Sequence, residues 1–395
     1  MPKQSFFRDF SPATLVTGFV AVLVSYASSV AIILQALTTI GVESSQIGAW
    51  LVTLGIGMGI STIALSLYYR TPILTAWSTP GIALLATHFP NTSVNEAIGI
   101  FIFASTLMLI CGITGLFAKL MNYIPHSIAA AMLAGILLRF GLDAFAILQS
   151  NFWLCGIMLL IYLIFRRYFP LYAIISTLAA GVILCILSGN LNLAGESIMF
   201  SMPKFVMPQF SATTLIGVGI PFFIVTMASQ NAPGIATLQA AGYPSRTSKL
   251  LIWTSLVTII LTPFGGFSIC IAAISAAICM GNDVHPDRDK RYIAAVSAGF
   301  FYVLAGIFGG AIFYLFNAFP TPFIKILAGL ALLGTFTNSL NLAIKNESTR
   351  DAAIICFLIT ASGANLLGIS SAFWGLVGGI IAHLIFKKRT VITSS

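Results

Sequence analysis

The stretch Val225-Thr-Met-Ala-Ser-Gln-Asn-Ala-Pro-Gly234 places two side-chain amides next to each other inside a long apolar run. An amide in apolar surroundings costs free energy unless it finds a partner. Polar groups at membrane depth mark a site by default, so Ser229, Gln230 and Asn231 form one candidate cluster. Tyr26, Ser28 and Ser29 occupy the corresponding place in the first apolar run. A single serine there more often bonds back to its own helix, so the cluster carries more weight than any one hydroxyl. Two further stretches are short and rich in Gly, Pro, Ser and Thr. One contains Thr75-Ala-Trp77-Ser78-Thr79-Pro80-Gly81, the other Gly265-Gly266-Phe267-Ser268. Proline disfavours helix in its predecessor and opens a helix at its first turn. The residues before Pro80 are therefore expected to be extended, with Ser78 or Thr79 capping a half-helix. Gly265 and Gly266 permit an irregular turn in the second stretch. Two facing half-helix N-termini hold an anion without a basic side chain, and Tyr26, Trp77 and Phe267 would wall it with aromatic surface. The candidate ligand-binding residues are Tyr26, Ser28, Ser29, Trp77, Ser78, Thr79, Gly81, Ser229, Gln230, Asn231, Gly266, Phe267 and Ser268.

All ten acidic residues fall in loops or near helix ends. A site for cations or protonated bases would keep a carboxylate at depth, so the ligand is expected to be anionic or neutral. Aromatic walls with helix dipoles suit a carboxylate on an apolar body. Candidate proton carriers are His126, Asp143 and Asp351, histidine being the side chain that titrates nearest neutral pH. An enzyme would need a nucleophile with its base, or a metal set. The four histidines are scattered, no Cys-x-x-Cys occurs, and the six cysteines all lie in apolar segments, where they read as small buried hydrophobes. No cofactor or metal is expected.

These groups must be positioned by membrane helices. The chain has 395 residues, 58% hydrophobic and 7% charged, against about 25% charged in a soluble domain. Lipid is therefore its solvent. No cleavable signal is expected at the short polar N-terminus. A spanning helix needs about 20 apolar residues. Fourteen segments meet the pattern: 12–36, 45–68, 72–87, 94–118, 124–141, 149–166 and 169–188, then 211–239, 248–264, 266–280, 291–315, 322–342, 351–368 and 370–386. The third and tenth are short and read as broken spans. With both termini in the cytoplasm, all of the 19 Lys and Arg except Arg139, Lys204 and Lys325 fall on that side. The net charge of +9 is then an orientation signal and not a nucleic-acid surface.

The two halves resemble each other. Cys111-Gly-Ile-Thr-Gly, Asn122-Tyr-Ile-Pro125 and Leu133-Ala-Gly135 recur in order as Ala305-Gly-Ile-Phe-Gly, Asn317-Ala-Phe-Pro320 and Leu327-Ala-Gly329. The spacing is about 194 residues, with a slip of one. Seven spans per half is an odd number, so the repeat must be inverted, as in secondary transporters. The expected fold is an all-α polytopic membrane protein of about 14 transmembrane segments in two inverted seven-span repeats, with short extended stretches in broken spans 3 and 10. Gly55, Gly57 and Gly59 suit a close helix interface, within one protomer or between two copies, so a homodimer is one expectation.

The runs Gly18–Ser29, Thr75–Gly81, Ile124–Gly141 and Val225–Gly234 resemble the bacterial benzoate:proton symporter (BenE) family, and the similarity extends as far as Ser370–Gly375. The resemblance implies import of benzoate, a small carboxylate, driven by protons across the inner membrane. It is also similar, more distantly, to the seven-plus-seven fold of nucleobase and anion transporters. That fold implies a core domain (1–123, spans 1–4, and 211–318, spans 8–11) moving against a gate domain (124–210, spans 5–7, and 319–395, spans 12–14). Nucleobase carriers of that fold have glutamates in spans 8 and 10, where this chain has Gln230 and the stretch Gly265–Ser268. An anion or nucleobase carrier, or a channel, of the same fold is the alternative.

Overall fold

The computed structural model describes residues 11–88, 93–116, 125–191, 202–244, 246–281, 284–364, 366–367 and 369–386. Residues 122–124 of the first repeat landmark lie outside these, as do Lys3, Arg8, Lys119, Lys387, Lys388 and Arg389.

Helix α1 (Pro12–Thr39) opens on Ser11, whose side chain accepts a hydrogen bond from the Thr14 amide. Helix α2 (Ser44–Tyr69) ends at Arg70 in the left-handed region, φ 48°. Strand β1 (Thr75–Trp77) leads directly into α3 (Thr79–His88). Then follow α4 (Val94–Thr114), α5 (His126–Ala146), α6 (Phe152–Tyr168) and α7 (Ala173–Leu187). The second half runs α8 (Ala212–Ala240), α9 (Thr247–Leu261), strand β2 (Ile269–Ile271) and α10 (Ile274–Ile278). It finishes with α11 (Tyr292–Ile307), α12 (Gly309–Asn317), α13 (Thr321–Ile344), α14 (Arg350–Ala361) and α15 (Ser371–Phe386).

Where hydropathy predicts fourteen spans, 7 of the described helices are long and apolar enough to cross a membrane. The number is up to 8 if the α11–α12 pair, bent by 62°, is one span. The difference arises because several apolar segments hold only a short helix. α3 has 10 residues, α10 has 5 and α14 has 12, below the roughly 20 a single rod needs.

The strands explain how irregular backbone survives here. β1 and β2 pair antiparallel, with Thr75 opposite Ile271, Ala76 opposite Cys270 and Trp77 opposite Ile269. A two-stranded ribbon has two open edges, and unpaired backbone groups in lipid cost several kcal/mol each. Hydroxyls from flanking helices close both edges. On one side the Thr75 amide donates to Thr62 Oγ1 at 3.0 Å, and Ser66 Oγ accepts from the Ile73 amide at 3.2 Å. On the other, Thr258 Oγ1 accepts from the Ile269 amide at 3.1 Å, and its own hydrogen is shared between the Thr254 carbonyl at 2.8 Å and the Ile269 carbonyl at 3.1 Å. Thr62 and Ser66 belong to α2, Thr258 to α9.

The helices then pack in crossed pairs. α2 lies along α11 and α4 along α9; α5 lies against α13 and α14; α6 pairs with α7, and α14 with α15. The α2–α11 crossing is backbone to backbone. A Cβ on Gly55 would sit 2.4 Å from Gly306 Cα, and one on Gly59 would sit 2.5 Å from the Gly299 carbonyl oxygen. Gly55 and Gly59 are thus used inside the protomer.

Candidate functional site

Helix α8 is not a regular helix. It contains two π-helical turns, Leu215–Gly219 and Met227–Asn231. Each is followed within two residues by a proline, Pro221 and Pro233. Proline has no N–H to donate and its ring crowds the carbonyl four residues back. The ladder therefore widens locally, and π-turns of this kind recur at functional sites. Pro221 leaves the Gly217 carbonyl free, and Ser370 Oγ donates to it. The second π-turn splits the amide pair. Asn231 turns inward and is fully buried. Its Oδ1 accepts from the Ile271 amide at 3.1 Å, and its Nδ2 approaches the sulfurs of Met227 at 3.4 Å and Met108 at 3.6 Å. Gln230 points the other way, into a cavity.

That cavity, of about 90 Å³, is walled by four pieces of chain: Val24, Ser25, Ser28 and Ser29 of α1; Ala76, Trp77 and Thr79 of β1–α3; Gln230 of α8; and Ala272, Ala273, Ile274 and Ser275 at the β2–α10 junction. None of these side chains carries a charge. Ser28 and Ser29 are committed to the Ser25 carbonyl, at 3.1 and 2.6 Å. Ser29 Oγ also accepts from the Trp77 indole N–H at 2.8 Å, which fixes the indole face. The side chains of Gln230 and Thr79 have no hydrogen-bond partner among the described residues, so both are available to a ligand.

Of the thirteen candidates, Ser28, Ser29, Trp77, Thr79 and Gln230 are brought to one cavity. Tyr26 lies behind its wall, edge-on to Trp77 with ring centroids 4.9 Å apart, its buried hydroxyl without a partner among the described residues. Ser78 caps α3: its Oγ accepts from the Gly81 amide at 3.2 Å and shares a hydrogen bond with Thr226 Oγ1 at 2.9 Å. Gly81 gives the room for that contact; a Cβ there would lie 2.8 Å from the Phe222 ring. Ser229 donates to the Val225 carbonyl of its own helix at 2.5 Å. Asn231 anchors β2.

Gly266, Phe267 and Ser268 lie apart from the cavity. Gly266 closes the end of α9, its amide bonded to the Leu261 carbonyl at 2.9 Å. Phe267 stacks on Phe101 at 4.9 Å. The Ser268 carbonyl accepts from the Ser78 amide at 3.1 Å. Aligning the two broken stretches by their Gly and Pro content sets them out of register by several residues. The repeat spacing gives the right register: Ala76 and Cys270 are 194 apart, and the same offset carries Ser78–Gly81 onto Ala272–Ser275, which line the cavity. His126 and Asp351 are exposed at the first turns of α5 and α14, and Asp143 is half-buried in α5; none of the three borders the cavity. All six cysteines are buried free thiols.

Residues 8–385 match the family model described as benzoate membrane transport protein. A relative from Escherichia coli (strain K12), inner membrane protein YdcO, is 51% identical over 95% of this chain and 96% of the relative. The benzoate membrane transport protein of Acinetobacter baylyi is 39% identical over 96% of this chain and 97% of the relative. Among solved structures, the transmembrane domain of a cyanobacterium bicarbonate transporter, BicA, matches with TM-score 0.58 at 13% identity, over 95% of this chain and 98% of that one. The murine Solute Carrier 26 family member A9 anion transporter, in its inward-facing state, matches with TM-score 0.62 at 13% identity, over 98% of this chain and 70% of that one. At that identity the likeness concerns the fold.

Proposed function

The chain belongs to the benzoate membrane transport protein family, and from that premise we propose that it is a secondary transporter importing benzoate or a similar small aromatic carboxylate with protons by alternating access. Its relatives are membrane transporters and not enzymes, and it is itself a multi-pass inner-membrane protein. The observation that carries the substrate reading is the uncharged cavity where β1–α3 and β2–α10 meet. Trp77, Val24 and Ile274 supply apolar walls, and Gln230 and Thr79 supply polar groups that have no hydrogen-bond partner among the described residues. A carboxylate there is held by the Gln230 amide, the Thr79 hydroxyl and the N-terminal end of α3. The aromatic ring lies along the fixed face of Trp77. With no titratable side chain among the described residues of the wall, the proton travels with the substrate, as the neutral acid or as a proton shared with its carboxylate, and His126, Asp143 and Asp351 are not needed as carriers.

The molecule that does this is read as fourteen segments in two inverted halves. Core parts 1–123 and 211–318 move against gate parts 124–210 and 319–395, with both termini cytoplasmic. Two facts support the inversion. The central strand pair, Ala76 and Cys270, is separated by 194 residues, the same offset that relates the sequence repeats, so exchange of the halves maps β1 onto β2 in register. The helix pairs exchange in the same way: α2–α11 with α9–α4, α6–α7 with α14–α15, and α5–α14 with α13–α6.

Proteoliposomes loaded with the purified protein are expected to accumulate labelled benzoate when an inward proton gradient is imposed, and to lose most of that uptake with a protonophore. Uptake indifferent to both overturns symport. The small cavity, about 90 Å³, favours a second reading, a carrier of a smaller anion on the same fold. Bicarbonate or sulfate displacing labelled benzoate as well as unlabelled benzoate does would favour that reading.

A further inference from the structure

A second and larger hollow lies between the two helices that support the β-ribbon, and Ser61 on its wall shares a hydrogen bond with Thr75 of β1 at 2.6 Å. It is an open groove of about 800 Å³ between α2 and α9. Its walls are Ile60 and Ala64 from α2 and Trp253 and Ile260 from α9; Ile60, Trp253 and Ile260 are all exposed. The two helices run antiparallel here, so the end of α2 meets the start of α9. From Ile56 to Tyr69 the groove extends about 20 Å at 1.5 Å per residue, longer than the ~15 Å of one leaflet's hydrocarbon. The chemistry of its two ends differs. At the α2 terminus, Lys249, Tyr68 and Tyr69 line it, and the Arg246 guanidinium sits 4.5 Å above the Tyr69 ring, its buried Nε without a hydrogen-bond partner among the described residues. Arg70 follows Tyr69 directly. Among the described residues, no acidic side chain lines the groove.

We propose that this groove is a binding site for one anionic phospholipid, its acyl chain lying between α2 and α9 and its phosphate held by Lys249 and Arg246. The charge pattern selects this occupant. A second copy of the chain would have to bury Lys249 against apolar surface, whereas a phospholipid places its phosphate at the basic end and its hydrocarbon along the rest. Basic pockets between membrane helices take anionic headgroups in this way. The lipid would brace α2 against α9, the two helices whose Thr62 and Thr258 close the edges of the β-ribbon. The site does not depend on the identity of the transported solute.

The test uses the purified full-length protein in detergent, exchanged with phosphatidylglycerol or with phosphatidylcholine, read by native mass spectrometry and thermal unfolding. The wild-type chain is expected to retain one phosphatidylglycerol preferentially and to melt higher with it. The double variant R246Q/K249Q, altered only in loop and helix-end side chains, should retain phosphatidylglycerol about 25-fold less well, about fivefold for each basic residue removed, with phosphatidylcholine unaffected. Ala64→Trp fills the groove and should lose retention of both lipids. Unchanged phosphatidylglycerol preference in the double variant overturns the proposal. So does a wild-type dimer that Ala64→Trp splits into monomers, which would make the groove an interface between copies.

Discussion

Gln230 and Asn231 are neighbours in sequence and opposites in role. Asn231 spends both ends of its amide on the protein, its oxygen on the Ile271 amide and its nitrogen on two methionine sulfurs. Gln230 spends neither, and borders the cavity. The two alanine variants should therefore separate binding from stability. Gln230→Ala removes a hydrogen bond to a charged ligand, worth about 1.5–3 kcal/mol, and should raise the apparent KM for benzoate roughly tenfold or more with the melting temperature unchanged. Asn231→Ala strands the buried Ile271 N–H at a cost of about 1–3 kcal/mol and should lower the melting temperature. A Gln230→Ala protein that transports normally would remove this residue from the site. The Ser229–Gln230–Asn231 cluster was legible in the sequence because amides are rare in apolar runs. Its division was not, because the facing of each side chain depends on a π-turn that Pro233 only permits.

At the scale of elements, the decisive fact is that hydroxyls stand in for strand neighbours. Thr62, Ser66 and Thr258 satisfy the edges of a ribbon that lipid could not. In sequence each is a threonine or serine in an apolar helix, a pattern that ordinarily means back-bonding to the same helix; Ser28, Ser29 and Ser229 bond that way, and Thr258 does so as well as meeting the strand. Nothing local distinguishes the two uses. The α2–α11 crossing is another case. Gly55 and Gly59 were legible as a close contact, but their partners Gly306 and Gly299 lie some 240–250 positions away in the chain. Gly55→Leu forces a side chain into the Gly306 backbone. It should destabilise the protein by at least the ~1–3 kcal/mol of an overpacked core, seen as a lower melting temperature and reduced membrane yield. A Gly55→Leu protein of wild-type stability would refute a backbone-to-backbone crossing at Gly55 and Gly306.

For the whole molecule, the inverted arrangement makes a claim about sides. The short turn Asn317–Pro320 and the partly described turn ending at Pro125 are repeat equivalents, so inversion puts them on opposite faces of the membrane. Single cysteines at His126 and Thr321, in a background with Cys111, Cys155, Cys185, Cys270, Cys279 and Cys356 replaced, are expected to react with an impermeant thiol reagent from opposite sides: His126 only after permeabilisation, Thr321 in intact cells. Labelling of both from one side would refute the inversion.

What the sequence determined by itself follows from solvent and spacing. Its apolarity required a membrane protein, since so few charges cannot hold a chain in water. Its repeat of about 194 residues carried the strand register that pairs Ala76 with Cys270, and its motifs carried the family. The tertiary structure alone decided which polar side chains face the cavity and which serve the framework. In lipid every backbone group needs an internal partner, and those partners come from residues far away in the chain. Whether a serine, threonine or asparagine holds a ligand, caps a helix or closes a strand edge is therefore set by what packs against it.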